Sequence, residues 1–149
     1  MFETKSTTVP ITKVMVKEAY RKVKANKGSA GVDEESLEEF KSDLLNNLYT
    51  LWNRLSSGSY YPKPVREVLI PKANGTKRKL GIPTVSDRIA QQVIKTYLEP
   101  RLETEFHDNS YGYRPLKSAH QAVTLVRSNV RVYAWVIDMD ISSFFDNMS

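Results

Sequence analysis

Val65-Arg66-Glu67-Val68-Leu69-Ile70, Pro71-Lys72-Ala73-Asn74-Gly75-Thr76 and Lys77-Arg78-Lys79-Leu80-Gly81-Ile82 follow one another directly, and their reading sets the fold class. The outer runs are rich in β-branched and aliphatic residues. Asn-Gly between two such runs is a strong hairpin signal, because both residues tolerate positive φ. The sequence therefore predicts a strand over 65–70, a tight turn at Asn74-Gly75 and a returning strand over 77–82. Tyr60 to Pro64, with two prolines, should run extended into the first strand.

On both sides of this hairpin the apolar period changes to that of a helix. Val16, Ala19, Tyr20 and Val23 recur at helical spacing, and Asn26-Lys27-Gly28 supplies a stop, so 11–25 reads as a helix. Ser36 and Glu39 stand in capping-box relation. Behind them Leu37, Phe40, Leu44, Leu48, Leu51 and Leu55 form one stripe, which predicts a single second helix closed at Ser57-Gly58. Ser86 or Asp87 caps a third, through Ile89, Val93, Ile94, Tyr97 and Leu98 to Pro100. A loop over Asn109–Pro115 precedes a fourth helix through Ala119, Ala122, Val123 and Val126. Val132 to Met139 reads as a buried strand ending at Asp140. The class is thus α+β, with helices around a basic antiparallel hairpin. A chain ending nine residues after Asp140, on one core strand and Phe144-Phe145, is expected to be part of a longer protein.

Composition narrows the chemistry only modestly. Lys plus Arg exceed Asp plus Glu by 22 to 17, a formal charge of +5 that suits a polyanionic partner without requiring one. The absence of cysteine excludes disulfides, zinc-thiolate sites and thiol nucleophiles. No apolar run is long enough for a membrane span and no signal-peptide core is present, so a soluble cytoplasmic protein, bacterial or organellar, is expected, with no membrane partner.

Three groups of residues could carry chemistry. Asp138 and Asp140, two apart on a strand, would share a face about 7 Å apart, with Asp146 close behind. Such carboxylates suit Mg²⁺, or equally a solvated strand end with Asp146 as a helix cap. Arg66, Lys72, Lys77, Arg78 and Lys79 surround the hairpin, either to bind phosphates or to protect an edge strand from aggregation. Tyr111-Gly112-Tyr113-Arg114-Pro115 is either a base-stacking clamp or a packed turn. His107 and His120 are too isolated to act as ligands or bases. Gly28-Ser29-Ala30-Gly31 lacks the Gly-Lys-Ser/Thr ending of a phosphate-binding P-loop.

Taken in order, these pieces resemble the early motifs of group II intron reverse transcriptases. The blocks are Asn26-Lys27-Gly28-Ser29-Ala30-Gly31-Val32-Asp33; Tyr61-Pro62-Lys63-Pro64-Val65-Arg66 leading to Ile70-Pro71-Lys72 and Arg78-Lys79-Leu80-Gly81-Ile82-Pro83; Asp87-Arg88-Ile89-Ala90-Gln91 with Leu98-Glu99-Pro100; Ser110-Tyr111-Gly112-Tyr113-Arg114-Pro115; and Asp138-Met139-Asp140-Ile141-Ser142-Ser143-Phe144-Phe145-Asp146-Asn147. Related bacterial reverse transcriptases, including CRISPR-linked ones, share much of this pattern.

The resemblance implies a right-hand polymerase. Residues 1–25 would be a helical extension, 26–130 fingers and early palm, and 131–149 the first palm strand with the catalytic aspartate. It makes Asp140 the first metal-binding aspartate, joined by the Ile141 carbonyl. Phe145 would lie under the sugar of the incoming nucleotide, and Lys72 and Arg78 would hold its triphosphate. Arg66, Lys77, Lys79, Tyr113 and Arg114 would contact RNA. The implied partners are two Mg²⁺ ions, dNTP, an RNA template with DNA primer, and intron RNA, whose splicing the parent protein assists. The family's Tyr-Ala-Asp-Asp motif is absent, so this chain alone is expected to be inactive in synthesis, to retain RNA binding, and to self-associate through its exposed last strand. The competing reading is an RNA-binding module that recognises structured intron RNA without catalysis.

Overall fold

The computed structural model describes residues 9–73 and 75–141, in two compact units, Met1–Arg101 and Leu102–Ser149. The first unit contains α1 (Lys13–Asn26), α2 (Leu37–Ser42), α3 (Leu44–Ser57), β1 (Arg66–Pro71), β2 (Lys77–Ile82) and most of α4 (Val85–Leu102); α5 (Ala119–Asn129) belongs to the second.

Its core is helical. Val16, Ala19, Tyr20 and Val23 of α1 pack with Phe40 of α2, Leu51 of α3, and Val85, Ile89, Ala90 and Val93 of α4. The Tyr20 and Phe40 rings stack at 5.9 Å. Burying a side chain such as Phe40 contributes roughly 1.5–3 kcal/mol. Trp52 ties the start of the chain to α3 by donating from Nε1 to the Ile11 carbonyl at 3.0 Å, and the Lys13 ammonium lies over its ring.

The expected second helix is two. Ser36 and Glu39 form the reciprocal capping box at 3.1 and 2.7 Å, and Gly58 closes α3 at φ 72, as predicted. Between them Asp43, at φ −122 and ψ 48, breaks the helix, and the Asn47 side chain bonds the Phe40 carbonyl that the break leaves open. The apolar stripe runs through the break because α2 and α3 face the same core. The α4 cap is Thr84, not Ser86 or Asp87: its Oγ1 accepts from the Asp87 N–H at 3.1 Å, and its carbonyl accepts from Arg88.

The two strands pair antiparallel as expected, with Arg66 opposite Ile82, Val68 opposite Leu80 and Ile70 opposite Arg78. Its loop is longer than a two-residue turn. Lys72 N–H bonds the Thr76 carbonyl and Gly75 N–H the Lys72 carbonyl, with Gly75 at φ 80, the left-handed closing position of a three-residue loop. Every described residue from Glu67 to Gly81 is exposed, so the helices do not surround this ribbon. Both faces carry cations, and covering either would strand them away from water.

In the second unit, Ser118 and Gln121 cap α5 reciprocally. The strand expected over 132–139 is not formed. These residues are exposed, and β1 and β2, the strands among the described residues, pair with each other. A strand is stable only where a neighbour satisfies its backbone groups, and high β-propensity does not supply that neighbour.

Candidate nucleotide and nucleic-acid interface

Strand alternation divides the basic residues of the hairpin between its faces. Residues directly opposite share a face, so Arg66 and Arg78 lie on one side with Val68, Ile70, Leu80 and Ile82, while Lys77 and Lys79 lie on the other with Glu67 and Leu69. The Lys72–Thr76 bond carries the alternation one pair further and puts Lys72 on the Arg78 side. Lys79 pairs with Glu67 at 3.1 Å. Lys72, Lys77 and Arg78 have no carboxylate partner among the described residues, and Arg66 Nε is buried without a hydrogen-bond partner. Uncompensated cations crowded at a ribbon tip repel one another, and a bound polyanion relieves that repulsion.

The base of the hairpin is held by residues for which sequence reasoning foresaw no contact with one another. Asp87, 3% exposed, accepts from the Tyr60 hydroxyl at 2.5 Å and the Thr84 hydroxyl at 2.6 Å. Burial, and then the bond to Asp87, pushes the Tyr60 pKa well above its ordinary value, keeping the phenol a donor. Arg88 donates to the Lys27 and Ser29 carbonyls at 3.0 and 3.1 Å, with its pKa lowered by burial. Gly31 lies so close to Pro83-Thr84 that a Cβ would fall 2.6 Å from the Thr84 Cα. Lys63 pairs with Asp33 at 3.1 Å, and Glu35, partly buried beside Asp33, has a raised pKa. Three of the motif blocks therefore interlock. Thr84-Val-Ser-Asp87, a cap residue with an acid three positions on, was the signal for part of this cluster.

In the second unit, the Arg114 side chain is enclosed by its own loop. Its side chain is 8% exposed. Nε and Nη2 donate to Glu103 at 2.9 and 2.7 Å, and Nη1 to the His107 and Ser110 carbonyls at 2.7 and 2.9 Å. The Phe106 ring lies beside the guanidinium, whose pKa is raised by the Glu103 bond. With its donors so occupied, Arg114 has little left for phosphate. Tyr113, by contrast, is fully exposed at φ 56.

Asp138, Asp140 and Ile141 are exposed, and with no strand beneath them the same-face geometry expected for the two aspartates is not formed. Two carboxylates and a carbonyl match Mg²⁺ in kind, yet no group of three or more His, Cys, Asp or Glu gathers among the described residues. Phe145 and Asp146 lie outside the described residues. No helix among those described is long and apolar enough to cross a membrane.

Residues 70–149, more than half of the chain, match the family described as reverse transcriptase (RNA-dependent DNA polymerase). The chain belongs to this family. Among its relatives, it is 40% identical over 138 residues to protein YkfC of Escherichia coli strain K12, covering 88% of this chain and 36% of that protein. It is 34% identical over 133 residues to the group II intron-encoded protein LtrA of Lactococcus lactis subsp. cremoris, covering 87% of this chain and 22% of LtrA. Nuclear intron maturase 2, mitochondrial, of Arabidopsis thaliana is 30% identical over 144 residues, covering 87% of this chain and 19% of that protein. The chain thus spans about a third or less of these relatives. The name of LtrA agrees with the group II intron resemblance of the sequence motifs, and that of the Arabidopsis protein with an intron maturase.

Proposed function

We propose that this chain positions the incoming nucleotide and the RNA template for an RNA-directed DNA polymerase of the group II intron type, acting in the cytoplasm or in an organelle. The observation that carries this reading is that Lys72, Lys77 and Arg78, at the tip of an exposed hairpin, have no carboxylate partner among the described residues, in a chain of this family. Lys72 and Arg78, on one face, hold the triphosphate of a dNTP. Lys77 and Lys79, on the other, follow the backbone of template or intron RNA, and Arg66 supports the base of the ribbon. The hairpin and the helices of 26–130 serve as fingers of a right-hand polymerase, 1–25 as their extension, and 131–149 as the start of the palm. Asp140 and the Ile141 carbonyl would hold Mg²⁺, which would supply Lewis acidity toward a primer 3′-hydroxyl and positive charge beside a leaving pyrophosphate. The remaining metal ligands belong to a Tyr-Ala-Asp-Asp motif that this sequence does not contain.

The opposed faces also favour a second reading, in which RNA recognition is separable from catalysis. Binding of a labelled structured RNA, measured over a salt series without Mg²⁺, tests the first reading and separates it from the second. The affinity should fall steeply with salt, and Lys77→Ala with Lys79→Ala should reduce the log–log slope by roughly 0.7 for each phosphate no longer neutralised. Lys72→Ala and Arg78→Ala should weaken dNTP binding and largely spare that slope. Equal loss of both ligands from either pair would rule out the division of labour between faces.

A further inference from the structure

Resting on the RNA-contact reading of the Tyr111–Arg114 loop, we propose that Arg114 never touches nucleic acid and is instead the positioning residue that holds Tyr113 out as a stacking platform for an unpaired RNA base. Two non-glycine residues in this loop have left-handed backbone, Tyr113 at φ 56 and Leu116 at φ 59. Bulky residues avoid that region, and they stay in it only where surrounding contacts impose it. Burial does not repay the strain, because both side chains are fully exposed.

The contacts that impose it converge on Arg114. Its guanidinium joins Glu103 to the His107 and Ser110 carbonyls, closing the loop from the inside. Its own carbonyl accepts from the Lys117 N–H. Lys117 then reaches back to the Asp108 carbonyl at 2.8 Å and lies over the Tyr111 ring at 5.1 Å. Of the two tyrosines, Tyr111 is thereby engaged within the loop, and Tyr113 presents an open aromatic face. With the backbone at Tyr113 fixed by these contacts, a base that stacks on the exposed ring orders only the side chain's own rotamers, which suits a single-strand contact.

The test uses the chain as it exists, with labelled single-stranded RNA over a salt series and amide hydrogen exchange without RNA. Tyr113→Ala and Arg114→Lys should each weaken binding on the order of tenfold, the size of one base–aromatic stack. The double variant should bind no worse than either single one, Tyr113→Trp should retain binding, and the salt slope should be unchanged throughout. Without RNA, Arg114→Lys should speed exchange at Ser110 and Lys117 while Tyr113→Ala should not. A reduced salt slope in Arg114→Gln, which removes the charge, would make Arg114 a phosphate contact and overturn the proposal, as would losses that add in the double variant. Unchanged exchange in Arg114→Lys overturns the positioning role whether or not RNA binds. Absence of binding by the unmodified chain overturns the RNA-contact reading itself, and the platform with it.

Discussion

Every buried hydrophobic side chain described lies between Val16 and Val93, whereas from Leu102 to Ile141 the described residues bury none. The first unit is organised by apolar faces of helices meeting one another. The second is organised around one guanidinium, with Val132, Trp135, Val136, Ile137 and Met139 left in solvent. Non-directional burial tolerates local change, while a polar hub depends on a few exact geometries. The two tryptophans allow the contrast to be measured, because Trp52 reports on the first unit and Trp135 on the second.

The largest effect is expected from Phe40→Ala, which should cost the first unit about 3–5 kcal/mol through the cavity it opens. Urea unfolding followed at Trp52, in a Trp135→Phe background, would measure this. An equal shift at Trp135 in the complementary background would show that the units unfold together and would break the comparison. Next in size, Trp135→Lys should weaken any self-association of the chain by about 2 kcal/mol if the exposed apolar stretch drives it; sedimentation at increasing concentration provides the measurement.

A smaller effect sharpens the picture of the first unit. The folded-state pKa of Tyr60 is raised above its unfolded value, so its contribution is present below about pH 10 and is lost as pH rises through the folded value. Tyr60→Phe should cost about 1 kcal/mol at neutral pH and reduce the alkaline loss of stability seen in denaturant titrations. The smallest effect belongs to Asp140→Asn. This exposed change should alter stability by less than about 0.5 kcal/mol, while abolishing synthesis in a reverse transcriptase that also carries the Tyr-Ala-Asp-Asp aspartates.

What could be read in the sequence follows the same division. α1, the Ser36 capping box, the Gly58 stop and the two hairpin strands are local, each signalled by residues only a few positions apart. The break at Asp43 escaped because the apolar stripe on either side of it faces one core and keeps its period. Val132–Met139 has the composition of a strand, but a strand also needs a partner, which no local pattern encodes. At Arg114 a cation between aromatics reads alike whether its donors point outward or inward, and Glu103, eleven residues earlier, turns two of them inward. The family motifs were visible as blocks, but their interlocking through Arg88, Asp87 and Gly31 depends on contacts between residues about 30 to 60 positions apart in the chain.

That interlocking bears on how segments can be exchanged between relatives. The loop from Asn26 to Asp33 fits only a partner with an arginine at 88 to take its carbonyls, and the absence of a side chain at 31 leaves just enough room for the backbone at Pro83-Thr84. A chimera that carries this loop into a related protein without the matching start of α4 would bring a key without its lock, so recombination in this part of the chain should succeed only when the two segments travel together.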